Sequence, residues 1–131
     1  MYLYHATYAK RLQNIRKQGL KVNQKSNWDG LSKRNVLYFA KDPDVAISYA
    51  EAAESVADSV YDSGIVVLVI NTALLNIKAF ISDTNVSDGN NDTVCYCGNI
   101  PVELLGILNL KNKTIMKLAD ITRLNSNYII K

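Results

Sequence analysis

Histidine and cysteine are scarce in this sequence, and their scarcity excludes several kinds of site. The chain has 131 residues, with one histidine, His5, and two cysteines, Cys95 and Cys97. Zinc sites normally use four ligands, and His5 lies far from the cysteines in sequence, so we expect no metal. Two cysteines separated by one residue of a strand are too cramped for an ordinary disulfide, so we expect both to be reduced thiols.

Long apolar runs and strong charge are also absent. The longest apolar run, Ile65–Ile70, is far too short to span a bilayer. No basic N-terminal stretch precedes an apolar segment, so there is no sign of a signal peptide. The formal net charge of +3 is too mild to indicate nucleic-acid binding by itself. We therefore expect no membrane partner and a cytoplasmic location, in the cell that makes the protein or in a cell that receives it.

The motifs of the common nucleotide-binding and hydrolase folds are missing. The chain contains neither G-x-G-x-x-G nor G-x-x-x-x-G-K-[ST]. It also lacks the G-x-S-x-G elbow, and a single histidine makes a serine hydrolase less favoured still. With 48% hydrophobic and 21% charged residues, and with no repeat or linker, the composition predicts one globular domain over residues 1–131.

Hydrophobic periodicity predicts short strands that alternate with two helices. Asp42 and Pro43 form a strong helix start, as N-cap and first helical residue, and Gly19 is a natural helix end. Ile65–Ile70 is apolar on both faces, which is typical of a buried central strand. The other assignments are a strand at 2–7, a helix at 8–18, a loop at 21–35, a strand at 36–40, a helix to about residue 61, a loop at 82–93, strands at about 94–97 and 104–110, and weak elements at 114–118 and 128–131. This order favours a mixed α+β domain.

Two tyrosines bracket the junction between the second strand and the second helix. Tyr38 lies at the end of that strand, and Tyr49 follows it on the helix. An apolar stripe at helical spacing includes Tyr49; its members are Val45, Tyr49, Ala52, Val56 and Val60. The pair is therefore explained either by core packing or by a slot for a flat ring between two aromatic faces.

Four residues, taken in order, resemble the motifs of a known superfamily. His5-Ala6-Thr7 on the first strand is similar to a His-Gly-Ser/Thr motif. Tyr38-Phe39-Ala40, followed by Tyr49, is similar to a strand ending in Tyr-Phe-Ala before a tyrosine-bearing helix. Glu103 is the best match to a glutamate at the head of a late strand. Over roughly residues 2–110 the chain thus resembles the histidine–tyrosine–glutamate branch of the ADP-ribosyltransferase superfamily, which includes diphtheria toxin and the poly-ADP-ribose polymerases.

The resemblance implies a fold and a set of roles. The fold would be an ADP-ribosyltransferase-like split β-sandwich of short mixed strands with two main helices. NAD⁺ would be the co-substrate, with its nicotinamide between Tyr38 and Tyr49, and no metal would be needed. Glu103 would stabilise the oxocarbenium-like transition state as nicotinamide departs. His5 would bind a ribose hydroxyl, and the other cofactor-binding residues would be Ala6, Thr7, Phe39 and Ala40.

The chain departs from the family pattern at two alanines, and one role has a rival. Ala6 stands where the family has glycine, and Ala46 stands where the polymerases have a serine that contacts the nicotinamide amide. Asp92 is a less favoured rival of Glu103. Lysines and an arginine in loop 21–35 would meet the pyrophosphate or belong to an ordinary solvated loop. The acidic loop 82–93 mildly favours a protein acceptor over a nucleic-acid one.

The resemblance implies a mono-ADP-ribosyltransferase that modifies a macromolecule, with a protein acceptor preferred and nucleic acid still open. A domain this small is also typical of a phage or toxin-type effector that modifies or inhibits a host factor, such as a defence system. Three alternatives stay open: an RNA 2′-phosphotransferase, an NAD glycohydrolase, and a catalytically inactive module that binds or inhibits. The RNA enzyme ranks lower because its family uses a further histidine.

Overall fold

The structure is a computed structural model, and it describes residues 1–21, 37–52, 64–76, 78, 80–82, 93–121 and 123–130. Within these residues, seven strands form one sheet. The strands are β1 (Tyr2–Tyr8), β2 (Leu37–Ala40), β3 (Ile65–Asn71), β4 (Phe80–Ser82), β5 (Thr93–Tyr96), β6 (Leu105–Leu108) and β7 (Ile115–Lys117). Two helices accompany them, α1 (Leu12–Gln18) and α2 (Pro43–Ala52). The expected α+β class is confirmed.

The strand order is β4-β5-β2-β1-β3-β6-β7, and each of these neighbouring pairs is antiparallel. The expectation of mixed strand directions is therefore wrong for the described part of the chain. β3 lies between β1 and β6, and its residues Ile65–Ile70 are buried. The prediction of a buried central strand is confirmed, because a strand covered on both faces needs apolar side chains on both.

The two helices cover opposite faces of the sheet. Leu12 and Ile15 of α1 belong to the large core cluster that also contains Leu68 of β3. On α2, Ile47 packs instead against a second cluster that contains Val67 and Val69. Successive strand residues point to opposite faces, so even-numbered β3 residues face α1 and odd-numbered ones face α2.

The first helix begins later than its periodicity predicts. Tyr8 ends β1, where it is fully buried and its hydroxyl donates to the Ala50 carbonyl of α2 at 3.1 Å. A 3-10 turn at Ala9–Arg11 then leads into α1. The predicted end at Gly19 is confirmed: its φ is 72°, and a Cβ there would collide with the Ile100 carbonyl oxygen.

The buried side of α2 differs from the predicted stripe by about one residue. Ala46 and Ala50 are the buried positions, whereas Val45 and Tyr49 are half-exposed. Two alanines one turn apart let the helix backbone approach the sheet closely, so apolar size alone identified the wrong residues. The start at Asp42 is confirmed, since its side chain accepts a hydrogen bond from the Asp44 N–H at 2.7 Å.

Other predictions have mixed outcomes. β4 was not expected, and it contains residue 82, which was assigned to a loop. Cys95 and Cys97 are not joined in a disulfide, as predicted, with Cys95 buried and Cys97 exposed. Among the residues that the structure describes, no helix is long and apolar enough to traverse a bilayer. The expected continuation of α2 towards residue 61, loop 21–35 beyond Lys21 and most of loop 82–93 lie outside the described residues.

Candidate functional site

The candidate site is a fork between β1 and β2. These strands pair at Tyr4 and Ala40, and within the described residues no second pair joins them. β1 nevertheless stays paired with β3 as far as Tyr8, opposite Ile65. β2 therefore separates from β1 beyond Tyr4, near the middle of the sheet. We call this opening the β1–β2 fork; it is bounded by residues 5–7 of β1 and residues 37–39 of β2.

His5 lies at the start of the fork and contacts β2 through its side chain. Its Nδ1 is 2.8 Å from the Tyr38 carbonyl oxygen, and its ring meets the Phe39 ring edge-on with centroids 5.6 Å apart. A carbonyl oxygen can only accept, so Nδ1 carries the proton and donates. This leaves Nε2 as an acceptor when the imidazole is neutral.

The surroundings keep His5 neutral. Burial lowers the pKa of His5 below its ordinary value of about 6.5, the hydrogen bond to Tyr38 opposes that shift, and the positive charge of Arg11 adds to it. At neutral pH the ring is therefore uncharged, with a fixed tautomer. Its free Nε2 can accept a hydrogen bond from a hydroxyl group.

Arg11 lies near the fork, close to Tyr8 and His5. The sequence pattern predicts it instead on the outer face of a helix. Its guanidinium lies 5.9 Å from the centroid of the Tyr8 ring, within the range of a cation–π contact. Burial lowers the pKa of Arg11, but an arginine stays charged at neutral pH. It thus places a permanent positive charge near His5. The sequence offers one signal for this contact, the three-residue spacing between Tyr8 and Arg11. It was not used, because the two residues were assigned to different faces of one helix.

Tyr38 lies on the α2 side of β2. Its neighbours Leu37 and Phe39 belong to the core cluster on the α1 side, and alternation along the strand then directs Tyr38 the other way. His5, two residues from the α1-side residue Leu3, leaves β1 on the α1 side. His5 and Tyr38 thus leave their strands on opposite faces, and they meet through the Tyr38 main chain.

Tyr49 lies on the flank of α2 nearer to β2. Ile47 packs against Val67 and Val69 of β3, so the flank of α2 that carries Ile47 faces β3. Helical residues are about 100° apart, which puts Tyr49 about 200° around the helix from Ile47. Both tyrosines, Tyr38 and Tyr49, are half-buried. They lie on the same side of the sheet, Tyr38 on β2 itself and Tyr49 on α2.

The two alanines that depart from the family pattern are accommodated by packing. Ala6 packs against the α2-side clusters that contain Tyr8 and Val67. Ala46 is buried on the sheet-facing side of α2. A serine at position 46 would be directed into that apolar contact, so the alanine fits the helix placement seen here.

Of the remaining predicted cofactor-binding residues, Thr7, Phe39 and Ala40 are buried. Phe39 belongs to the core cluster and contacts His5, and Ala40 pairs with Tyr4 at the closed end of the fork. Of the three, Phe39 makes a ring contact with a predicted site residue, His5.

Glu103 is not brought to the fork. It is exposed on a 3-10 turn at Val102–Leu104 that precedes β6. β1 and β3 separate β6 from β2, and three strand spacings amount to about 14 Å. Leu105 pairs with Ile70 at the sheet end where β1 begins, which adds an offset along the strands. The rival Asp92 lies outside the described residues.

Thr93 is a polar residue near the fork that the sequence reasoning did not single out. It begins β5, pairs with Ala40 and is 4% exposed. Its hydroxyl oxygen is buried and makes no hydrogen bond to any of the described residues. Nothing in the sequence distinguishes this threonine from an ordinary strand residue, because the missing partner is a property of the packed structure.

Among the described residues, no cluster of three or more histidine, cysteine and acidic side chains is placed to hold a metal ion. Comparison of the sequence with protein-family models gives no match, and comparison with curated proteins gives none either.

Proposed function

We propose that this protein is a mono-ADP-ribosyltransferase that uses NAD⁺ and modifies a macromolecule, with a protein as the preferred acceptor. The observation that carries the proposal is the β1–β2 fork, where a neutral His5 is fixed by the Tyr38 carbonyl. Tyr38 belongs to the strand at this fork, and Tyr49 lies on the same side of the sheet. The finer fold assignment, an ADP-ribosyltransferase-like split of the sheet, belongs to this proposal, and the single β1–β2 pair supports it.

The residues at the fork suit a dinucleotide that has one flat cationic ring. Aromatic faces attract such a ring through dispersion and through the ring quadrupole. The His5 Nε2 can accept a hydrogen bond from a ribose hydroxyl, and Arg11, near the Tyr8 ring, supplies a positive charge for a phosphate group. Backbone groups of β1 beyond Tyr4 that point towards β2 have no ladder partner there among the described residues. They are therefore suited to an amide such as that of nicotinamide.

In the proposed reaction, the bond between nicotinamide and ribose C1′ breaks and nicotinamide leaves with the electron pair. A nucleophilic atom of the acceptor then bonds to C1′ and loses its proton to solvent or to a nearby base. The positive charge that develops on the ribose calls for a carboxylate. Glu103 does not lie beside the fork, so the chemistry requires another acidic group; Asp92, which directly precedes Thr93 in the sequence, is the first to test.

The direct test is nicotinamide release from NAD⁺ in the presence of cell lysate, with NAD⁺ labelled on its adenosine half. We expect release together with label transfer to a protein band. Tyr49→Ala should weaken NAD⁺ binding about tenfold, the size of effect that loss of one aromatic contact produces. Tyr2→Ala is the matched control, because Tyr2 is an exposed tyrosine at the opposite end of β1.

Outcomes of this test separate the alternatives. Release without label transfer would indicate an NAD glycohydrolase. Transfer of a 2′-phosphate from RNA would indicate the RNA enzyme. Equal binding by wild type, Tyr49→Ala and Tyr2→Ala would show that the tyrosine pair serves packing, and the proposed function would then be wrong.

A second candidate is a catalytically inactive domain that binds NAD⁺ or inhibits a partner. The placement of Glu103, exposed and about three strands from β2, favours it. Under this alternative, carba-NAD⁺, in which a methylene group replaces the ribose ring oxygen, would bind with measurable affinity while NAD⁺ itself released no nicotinamide.

A further inference from the structure

The hydroxyl of Thr93 is a buried polar group at the start of β5. Protein interiors rarely leave a buried polar atom without a hydrogen bond, because the atom has lost its contact with water. Thr93 is 4% exposed, and within the part of the chain that the structure describes its Oγ1 has no hydrogen-bond partner. A valine has nearly the same shape and would avoid this cost, so the threonine calls for an explanation.

The sheet register places Thr93 beside Tyr38. Thr93 pairs with Ala40, and Cys95 pairs with Tyr38. Paired residues project from the same face of a sheet, and so do residues two apart on one strand. Thr93 and Tyr38 are therefore diagonal neighbours on the α2 side. The side chains of such a pair are close enough for one bound group to contact both.

We propose that the Thr93 hydroxyl binds the nicotinamide half of the dinucleotide, as a hydrogen-bonding partner for a polar group next to the ring held at Tyr38. This inference rests on the function proposed above. It makes Thr93 a specificity-determining residue: it recognises the nicotinamide group, which is the part of NAD⁺ that leaves, and the ADP-ribose part is bound elsewhere in the fork.

The test uses isothermal titration calorimetry with carba-NAD⁺ and with ADP-ribose, which lacks the nicotinamide. Thr93→Val should raise the Kd for carba-NAD⁺ about tenfold, which is the effect of one lost hydrogen bond. It should leave the Kd for ADP-ribose unchanged. Thr93→Ser keeps the hydroxyl and should bind both ligands as wild type does. Thr114→Val is a control, because that hydroxyl donates to Asn112 in an exposed turn.

Melting temperature supplies a second readout that does not require ligand. Because the hydroxyl has no partner in the free protein, Thr93→Val should melt about 3–6 °C higher than wild type. A lower melting temperature would mean that the hydroxyl has a partner within the protein, and the inference would be wrong. If the valine variant does not fold, Thr93→Ala replaces it in the binding test.

The outcomes keep the two proposals apart. If wild type binds carba-NAD⁺ and Thr93→Val binds it equally well, the role of Thr93 is refuted while the proposed function stands. Equal weakening for carba-NAD⁺ and ADP-ribose would mean that the variant disturbs the whole site, which also refutes the role. If wild type binds neither ligand, the proposed function and the inference both fail.

Discussion

At the scale of single residues, the most informative side chain is His5. Its proton is placed by one main-chain acceptor, Tyr38, and its charge is suppressed by burial and by Arg11. In such a ring Nδ1 is always the donor and Nε2 is always the acceptor. Its structural role and its proposed ligand role depend on the same condition, that it stays neutral.

The lowered pKa of His5 predicts a pH dependence of stability. In the unfolded chain the imidazole gains its proton near pH 6.5, whereas in the folded chain it does so only at lower pH. As the pH falls from about 6.5 towards the folded pKa, the unfolded state binds more protons, so the free energy of unfolding decreases. Urea unfolding of wild type and His5→Gln between pH 5 and pH 8 measures this.

We expect the wild-type curve to lose stability across that window and the His5→Gln curve to be flatter. An NMR titration of the single histidine should show a pKa below its ordinary value. Arg11→Gln should raise that pKa, because it removes a positive charge. A His5 that titrates at or above its ordinary pKa would contradict the description of the site.

Glu103 carries a second prediction at this scale. Because it is exposed and lies about three strand spacings from β2, Glu103→Gln should retain nicotinamide release within about twofold of wild type. Asp92→Asn is the companion variant, measured in the same assay. If Glu103→Gln loses nicotinamide release while its melting temperature is unchanged, Glu103 is catalytic. The conclusion drawn from the strand order would then be wrong.

At the scale of elements, α2 positions Tyr49 relative to the fork. Its N-terminus is held by Asp42, whose carboxylate accepts hydrogen bonds from Asp44 N–H at 2.7 Å and Val45 N–H at 3.4 Å. Its sheet-facing side is held by Ala46, Ala50 and the Tyr8 hydroxyl. A weakened cap should therefore affect both the stability of the domain and the position of the tyrosine.

Asp42→Ala should lower the free energy of unfolding by about 1 kcal/mol, the usual effect of losing an N-cap. It should also weaken binding of carba-NAD⁺, because the first turns of α2 lead to Tyr49. Asp42→Asn keeps a capping oxygen and is the control. Chemical denaturation measures the stability, and calorimetry measures the binding. If Asp42→Ala weakens binding without lowering the free energy of unfolding, the cap does not act on Tyr49 through the stability of α2.

Elements were predictable where a local sequence pattern is sufficient to identify them. β3 and the Asp42-Pro43 start follow from local patterns, and both are confirmed. The buried face of α2 was not predictable from apolar size, because close helix–sheet approach selects Ala46 and Ala50. β4 was missed because a three-residue edge strand carries little periodicity.

At the scale of the whole molecule, the strand order decides which predicted residues can meet. β1 and β2 are neighbours, and this brings the His5 side chain against the Tyr38 main chain. β5 lies beside β2, whereas β6 lies beyond β3. A sequence pattern cannot distinguish these positions, since both strands are short and both come late in the chain. This is why Glu103 was preferred to residues near Thr93.

The position of the fork predicts where a ligand will protect the backbone. The main-chain groups of β1 that face β2 beyond Tyr4 lack ladder partners among the described residues, whereas β6 is paired on both sides. Carba-NAD⁺ should therefore slow amide exchange in residues 2–8 and 37–52 and leave residues 105–117 unchanged. Hydrogen exchange followed by mass spectrometry measures this, with ADP-ribose and ligand-free protein as references. Protection confined to β6 and β7 would place the ligand at the Glu103 end of the sheet, and the fork would then be a structural opening without a ligand.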